Sequence, residues 1–355
     1  MSIADYDATS SNYKWKVAAV VSGTFLFSAM DMNSSLVALP TIADHFMVDI
    51  TSASWIVLAA FLTLTALLLP FGRLADMVGR KRVMISGMLV VGCGGILSAL
   101  APDLSWLYGT RILQGAGAAA VQAVGPALLV AAFPREERGK AMGVNVTMVS
   151  VGLMLGPALG GLVVASVGWR YIFLFPVPMM LLAAIFGWKL LRESARTESE
   201  KFDYVGTVLL ALWIAPLFFV LNQGSKIGWG SGVIVSLSCM TIVVLTTFLL
   251  TQLRQEHPLV ELKVFRNWDF SLAVSIAILN FMAFGATLLL LPFMLQKLMG
   301  LGVATVGFAM ATMSLPTLIF APFAGRLSDQ YGPRITVTVG LVVRGTGLII
   351  IGLIA

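Results

Sequence analysis

Asp31 stands about fourteen residues into an apolar run that begins near Val17, roughly 20 Å along a helix rising 1.5 Å per residue. It is the only carboxylate well inside any long apolar run of the chain. A charge at mid-bilayer costs at least about 2.5 to 3.5 kcal/mol on insertion scales, so its presence demands a reason. Two chemistries fit: an acid in a low-dielectric setting can load and release protons, or it can stay ionised in a permanent structural ion pair. Arg111 and Gln114 lie three residues apart in another run, hence on one helical face, with Gly115 and Ala119 giving that helix a small-residue surface. Arg111 either faces a central cavity or, lying nearer the end of its run than the middle, snorkels to the interface. Gly152, Gly156 and Gly160 recur every four residues, a stripe for close helix packing, and Pro157 withdraws a backbone donor and allows a bend.

The elements that must carry these residues are membrane helices. The chain has 355 residues, 58% of them hydrophobic and 11% charged, where a soluble domain shows about 45 to 50% and about 25%. Runs of the roughly 20 apolar residues needed to span a bilayer recur throughout. Eleven are expected, near 17–40, 53–72, 82–101, 104–128, 141–166, 170–191, 204–223, 230–253, 270–295, 303–325 and 334–355. Eighteen of the 23 Lys and Arg fall in the N-terminal segment and the even-numbered turns; Arg170, Lys226 and Lys297 alone occupy the odd-numbered ones. Cations accumulate on the cytoplasmic side, so the N-terminus is expected there, in a multi-pass protein of the plasma or inner membrane. The first sixteen residues are polar and acid-bearing, and no cleavable signal peptide is expected before the first run. Clustering of the cations between spans argues against a nucleic-acid partner for the net charge of +6. Cys93 and Cys239 sit in separate apolar runs, and His45 and His257 lie far apart, which argues against a disulfide framework or a metal site. The eighteen methionines suit either an adaptable apolar pocket or lipid-facing surface.

A ten-residue pattern appears twice, 253 residues apart: Gly72-Arg73-Leu74-Ala75-Asp76-Met77-Val78-Gly79-Arg80-Lys81 and Gly325-Arg326-Leu327-Ser328-Asp329-Gln330-Tyr331-Gly332-Pro333-Arg334. Both copies join an even to an odd helix on the cation-rich side, as in parallel-repeat transporters. The shift is eight helices where two six-helix halves require six, so two helices are inserted between the bundles. The expected division is a six-helix bundle over 1–192, two linker helices with loops over 193–264, and three helices of a second bundle over 265–355. Gly72 and Gly79 permit a tight turn and close helix approach, while Asp76 can pair with arginines or a helix N-terminus. Contacts of that kind can form in one conformation and break in another, a latch; the cations alone also satisfy the inside-positive bias.

The chain resembles the major facilitator superfamily, and more closely its fourteen-helix drug:proton antiporter family. Residues 72–82 resemble that family's loop signature between helices 2 and 3, and 111–119 its helix 4 signature. Residues 152–161 are similar to the helix 5 signature of antiporters, and Met30 to Pro40 match the acid and the Ala-Leu-Pro end of the helix 1 signature, departing at Asn33 and Leu36. The resemblance implies an all-α membrane protein with eleven of fourteen helices present, truncated in its second bundle. It implies proton-coupled efflux of amphipathic small molecules, no enzymatic activity, and no cofactor beyond the proton gradient. Asp31 would carry the proton, with Asn33, Arg111 and Gln114 in the cavity. Gly72, Asp76, Gly79, Arg80, Gly325, Asp329, Gly332 and Arg334 would form the latch. Gly152, Gly156, Pro157, Gly160 and Gly161 would seal the cavity against uniport leak. The partners would be the small-molecule substrate, protons and the lipid bilayer, with a periplasmic adaptor in a double-membrane bacterium. An uptake permease or uniporter of the same fold, and a non-transporting truncated remnant, remain alternatives. Arg344 has no counterpart in the family signature; it either pairs with a later helix or lines the cavity.

Overall fold

The computed structural model describes residues 11–193, 203–255, 260–313, 315–316, 320 and 333–354. These residues are helical apart from short connections, and no strand occurs among them. The helices are α1 (Ser11–Phe46), α2 (Ile50–Val78), α3 (Arg80–Ala99), α4 (Leu104–Ala132), α5 (Arg138–Ser166), α6 (Tyr171–Leu174), α7 (Val177–Leu190), α8 (Tyr204–Ile227), α9 (Gly232–Arg254), α10 (Trp268–Phe293), α11 (Val303–Thr312) and α12 (Pro333–Ile354). In lipid every backbone polar group must be satisfied within the chain, which is why apolar runs of this length become helices. Side-chain caps close several N-termini: Asp103 accepts from the Trp106 amide, Asp203 from Gly206 and Ser231 from Ile234.

Eight helices among the described residues are long and apolar enough to cross a membrane, counting α6 and α7 as one. α1 is not among them, because Ser22, Thr24, Ser28, Asp31, Asn33, Ser34 and Ser35 lower its hydropathy; all seven are buried against neighbouring helices. The expected span at 170–191 is interrupted at Phe175 and Pro176, where Pro176 precedes α7. α11 covers only the beginning of the expected 303–325, and most of the rest lies outside the described residues.

Between helices already surrounded by hydrocarbon the hydrophobic effect supplies no drive, so association depends on close packing of small residues. α1 lies along α5, where a β-carbon on Gly152 would strike the carbonyl of Leu26 and one on Gly156 would stand 2.9 Å from that of Met30. α4 packs on α3 through Gly117 and Gly87 and on α2 through Gly115, whose neighbour is the Ala60 carbonyl. α7 closes over α1 and α3, and α8 pairs with α9 and rests on α2.

The stretch 72–82 differs from its expected form. α2 runs on to Val78 and α3 starts at Arg80, so the turn is a single residue, Gly79, with φ +110°. Gly72 lies inside α2 with open space around it and takes no part in a tight turn or close approach. The charges that mark a loop in hydropathy here sit on helix ends, where Asp76 and Arg80 pair one turn apart at 3.0 Å.

Candidate functional site

Five helices bring the anomalous polar residues and their partners together. Asp31 Oδ2 of α1 faces Arg111 Nη1 of α4 at 3.3 Å, and Arg111 Nη1 also donates to Gln114 Oε1 at 2.6 Å. Arg111 Nε donates to the carbonyl of Ile56 on α2 at 3.1 Å, and the guanidinium lies 5.5 Å from the centroid of the Phe173 ring on α6. Arg111 is wholly buried, so it faces the interior and does not snorkel. Ser98 of α3 donates to Thr110 Oγ1 at 2.8 Å and reaches Gln114 Oε1 at 3.4 Å. Gly94 and Gly95 make room for this set: a β-carbon at Gly94 would stand 2.5 Å from Gln114 Cγ, and one at Gly95 2.7 Å from the Phe173 carbonyl.

The network is incompletely paired. Asp31 Oδ1, Arg111 Nη2 and Gln114 Nε2 are buried and have no hydrogen-bond partner. Unpaired buried polar atoms are rare in native structures and each calls for an explanation. A buried ion pair is weak evidence for stability, since desolvation opposes the attraction; loss of one partner nonetheless costs about 3 to 5 kcal/mol. The arrangement therefore suits an acid whose charge is held by one arginine and whose free oxygen is open to a proton, a water or a ligand.

The glycine stripe of α5 reaches the same place. Gly156 is in contact range of Asn33 as well as Met30, and Gly160 lies on Ser34, so the three residues around Asp31 rest on α5. The Asn33 side chain donates to the Ala29 carbonyl at 2.9 Å, one turn back on its own helix. Gly161 turns to α11, where its β-carbon would stand 2.7 Å from the Val303 carbonyl, and Gly307 of α11 abuts the carbonyl of Pro157. At the same end Lys297 binds Asp44 at 2.6 Å, Gln296 donates to the Val37 carbonyl at 3.0 Å, and Lys226 binds Asp49 at 3.2 Å. The Ser52 hydroxyl, helped by Lys226 and opposed by burial, holds the Asp49 carboxyl down to about 2.

At the α2–α3 turn, Glu193 stands over Gly79 where a β-carbon would fall, accepts from the Lys81 amide at 3.2 Å and approaches Arg82 at 3.6 Å. The sequence reading did not single out Glu193, Ser98, Thr110 or Phe173. In the second copy of the pattern Gly325, Asp329 and Gly332 lie outside the described residues; Arg334 is exposed and pairs with Asp269 at 2.8 Å. Arg344 bonds Asn280 of α10 and lies 5.7 Å from the Phe284 ring centroid, a partner within the chain's own helices. An apolar cavity of about 770 Å³ opens between α2, α4 and α8, lined on α4 by Tyr108 and Ile112; Asp31, Arg111 and Gln114 do not line it.

A multi-pass bundle of apolar helices that closes on a buried acid–arginine pair and packs closely through glycines defines a polytopic membrane protein. The family model described as Major Facilitator Superfamily matches residues 21–263 and 273–355, and the chain belongs to that family. It is 32% identical to the "Riboflavin transporter RibZ" of Clostridioides difficile over 90% of this chain and 69% of that protein. It is 31% identical to the "Multidrug resistance protein Stp" of Mycobacterium tuberculosis over 89% of this chain and 59% of that protein. The "Lincomycin resistance protein LmrB" of Listeria monocytogenes is 27% identical over 90% of this chain and 67% of its own length. The chain thus spans 59% to 69% of the length of these relatives. Among solved structures, a POT family transporter in complex with a thioalcohol-conjugated peptide superposes with a TM-score of 0.71 at 18% identity, covering 95% of this chain and 75% of that one. A D-xylose–proton symporter gives 0.61 at 15% identity, over 90% and 70%. At these identities the likeness concerns the fold.

Proposed function

We propose that this chain is the greater part of a proton-coupled exporter of amphipathic small molecules, with Asp31 as the proton carrier. The observation that carries the reading is the buried Asp31–Arg111 pair with one free carboxylate oxygen and one free guanidinium nitrogen. Charged Asp31 holds Arg111; a proton on Asp31 removes that attraction and frees Arg111 and Gln114 to rearrange around a substrate. The glycine contacts that fix α1 on α5 and α5 on α11 transmit this rearrangement to the seam between 1–192 and 265–355, the two bundles, with 193–264 as an inserted pair. The lopsided cation distribution supports a cytoplasmic N-terminus, which puts the α5–α11 seam on the outer side. Asp76, Gly79 and Arg80, with Gly325, Asp329, Gly332 and Arg334, serve as the cytoplasmic latch, and Gly72, inside α2 with open space around it, has no part in it. The proton gradient is the energy source, each charge crossing the membrane contributing about 2.3 kcal/mol per 100 mV.

Two resistance names among the relatives support export of drug-like cargo. The riboflavin transporter supports a second reading, a permease for a small planar solute on the same fold. Accumulation of an amphipathic cationic dye separates them: cells producing the protein hold less dye than controls if it exports and more if it takes up. In everted vesicles with an imposed pH gradient, Asp31→Asn abolishes gradient-driven dye movement while membrane insertion persists. Undiminished movement in that variant would remove Asp31 from the mechanism.

A further inference from the structure

A groove of about 370 Å³ runs between α1 and α7, away from the buried pair. Its walls are apolar, with Gly23 and Phe27 on α1 and Leu182, Phe186 and Leu190 on α7, and Lys16 stands at one end. From Lys16 to Phe27 is eleven residues, about 16 Å of helix, close to half of the roughly 30 Å hydrocarbon core. The groove is therefore about one leaflet deep, with its cation where headgroups lie. Leu182 and Phe186 are about half exposed, so the opening is lateral, towards lipid.

The cations around this end fall into two groups. Lys14 binds Glu137 at 2.6 Å, Lys140 lies over Trp15, Arg192 over Tyr13, Lys81 donates to the Trp188 carbonyl, and Arg82 approaches Glu193. Lys16 and Lys189 are exposed and have no such partner among the described residues. Lys189 is seven residues from Leu182 and three from Phe186, so it shares their face of α7. Two exposed ammonium groups with no partner among the described residues thus stand at this end, Lys16 lining the apolar groove and Lys189 on the α7 face that borders it.

We propose that the α1–α7 groove binds one anionic phospholipid, its phosphate held by Lys16 and Lys189 and an acyl chain lying against Gly23 and Phe186. Charge complementarity selects the anionic headgroup, and groove depth selects a lipid over a free phosphate. Such a lipid would brace α7 against the helix that carries Asp31, whatever the direction of transport.

The test is native mass spectrometry of the purified protein exchanged into detergent with equimolar phosphatidylglycerol and phosphatidylcholine. Preferential retention of phosphatidylglycerol is expected, falling by about fivefold for each of Lys16→Gln and Lys189→Gln. Both lysines are exposed, so melting of the two variants in lipid-free detergent should match the parent, keeping loss of lipid separate from loss of fold. Gly23→Leu fills the groove from a position where an added β-carbon meets nothing within 4 Å, and should remove the retained lipid with the lysines intact. Equal retention of the two lipids, a preference untouched by all three substitutions, or displacement of phosphatidylglycerol by soluble glycerol 3-phosphate would overturn the proposal.

Discussion

A β-carbon built on Gly161 would stand 2.7 Å from the carbonyl oxygen of Val303, closer than such contacts are ever found, so α5 and α11 meet backbone to backbone. Gly161→Val must push them apart. Overpacking of this kind costs about 1 to 3 kcal/mol, enough to shift a closed-to-open equilibrium by about 5- to 150-fold. A cysteine placed at the fully buried Val306 reports the change in a variant lacking Cys93 and Cys239. Its thiol-labelling rate should rise at least about fivefold when Gly161→Val is added, and an unchanged rate would show that the seam does not depend on this contact.

The two glycines of the 72–82 pattern should respond in opposite directions. Gly79 has φ +110° and Glu193 over it, so Gly79→Ala strains the backbone and expels the Glu193 carboxylate from the Lys81 amide. Gly72 is a helical residue with empty space about it, and Ala there should stabilise by up to about 1 kcal/mol. Thermal unfolding in detergent should rank Gly72→Ala above the parent and Gly79→Ala below it; equal effects would contradict the one-residue turn.

Asp49 links the start of α2 to Lys226 near the end of α8. Its carboxyl is lowered from 3.8 to about 2 in the folded protein, first by the Ser52 hydroxyl and also by Lys226. A folded-state value below the unfolded one means the carboxylate stabilises above about pH 4 and that this contribution is lost as pH falls towards 2. The melting difference between parent and Asp49→Asn should be constant above pH 5 and vanish by about pH 2. A difference that persists at pH 2 would show that the carboxylate's charge is not its source.

Removal of one member of the Asp31–Arg111 pair leaves a buried charge uncompensated. Arg111→Gln should lower stability by about 3 to 5 kcal/mol, and adding Asp31→Asn to it should restore part of the loss. Strictly additive effects in this double-mutant cycle would mean that the two side chains are not coupled across α1 and α4.

The positions of Asp31, Arg111 and Gln114 were legible because a charge or amide within an apolar run has no bland explanation in lipid. Their partners were not. Ser98 and Thr110 can return their hydroxyls to their own helix, Phe173 looks like any membrane aromatic, and the Ile56 carbonyl has no side-chain signature at all. Periodicity exposed the glycine stripe on α5, but only packing reveals that Gly160 rests on α1 while Gly161, one residue on, rests on α11. Hydropathy misread the ends of α2 and α3, since charged helical turns at an interface score like a loop. It also passed over the break before α7, where Pro176 and Pro178 withdraw two backbone donors without lowering the hydropathy of the run much. Arg344 looked partnerless in sequence because Asn280, 64 residues earlier, comes within reach of its long side chain only in the folded chain.

The claim on which the account turns is that Asp31 carries a proton that substrate binding displaces. Proton release on adding an amphipathic cationic dye to the purified protein in weakly buffered detergent, followed with a pH indicator, measures this directly. The parent should release protons in proportion to dye bound, and Asp31→Asn should bind dye and release none. Undiminished release from Asp31→Asn would place the proton elsewhere and contradict the account.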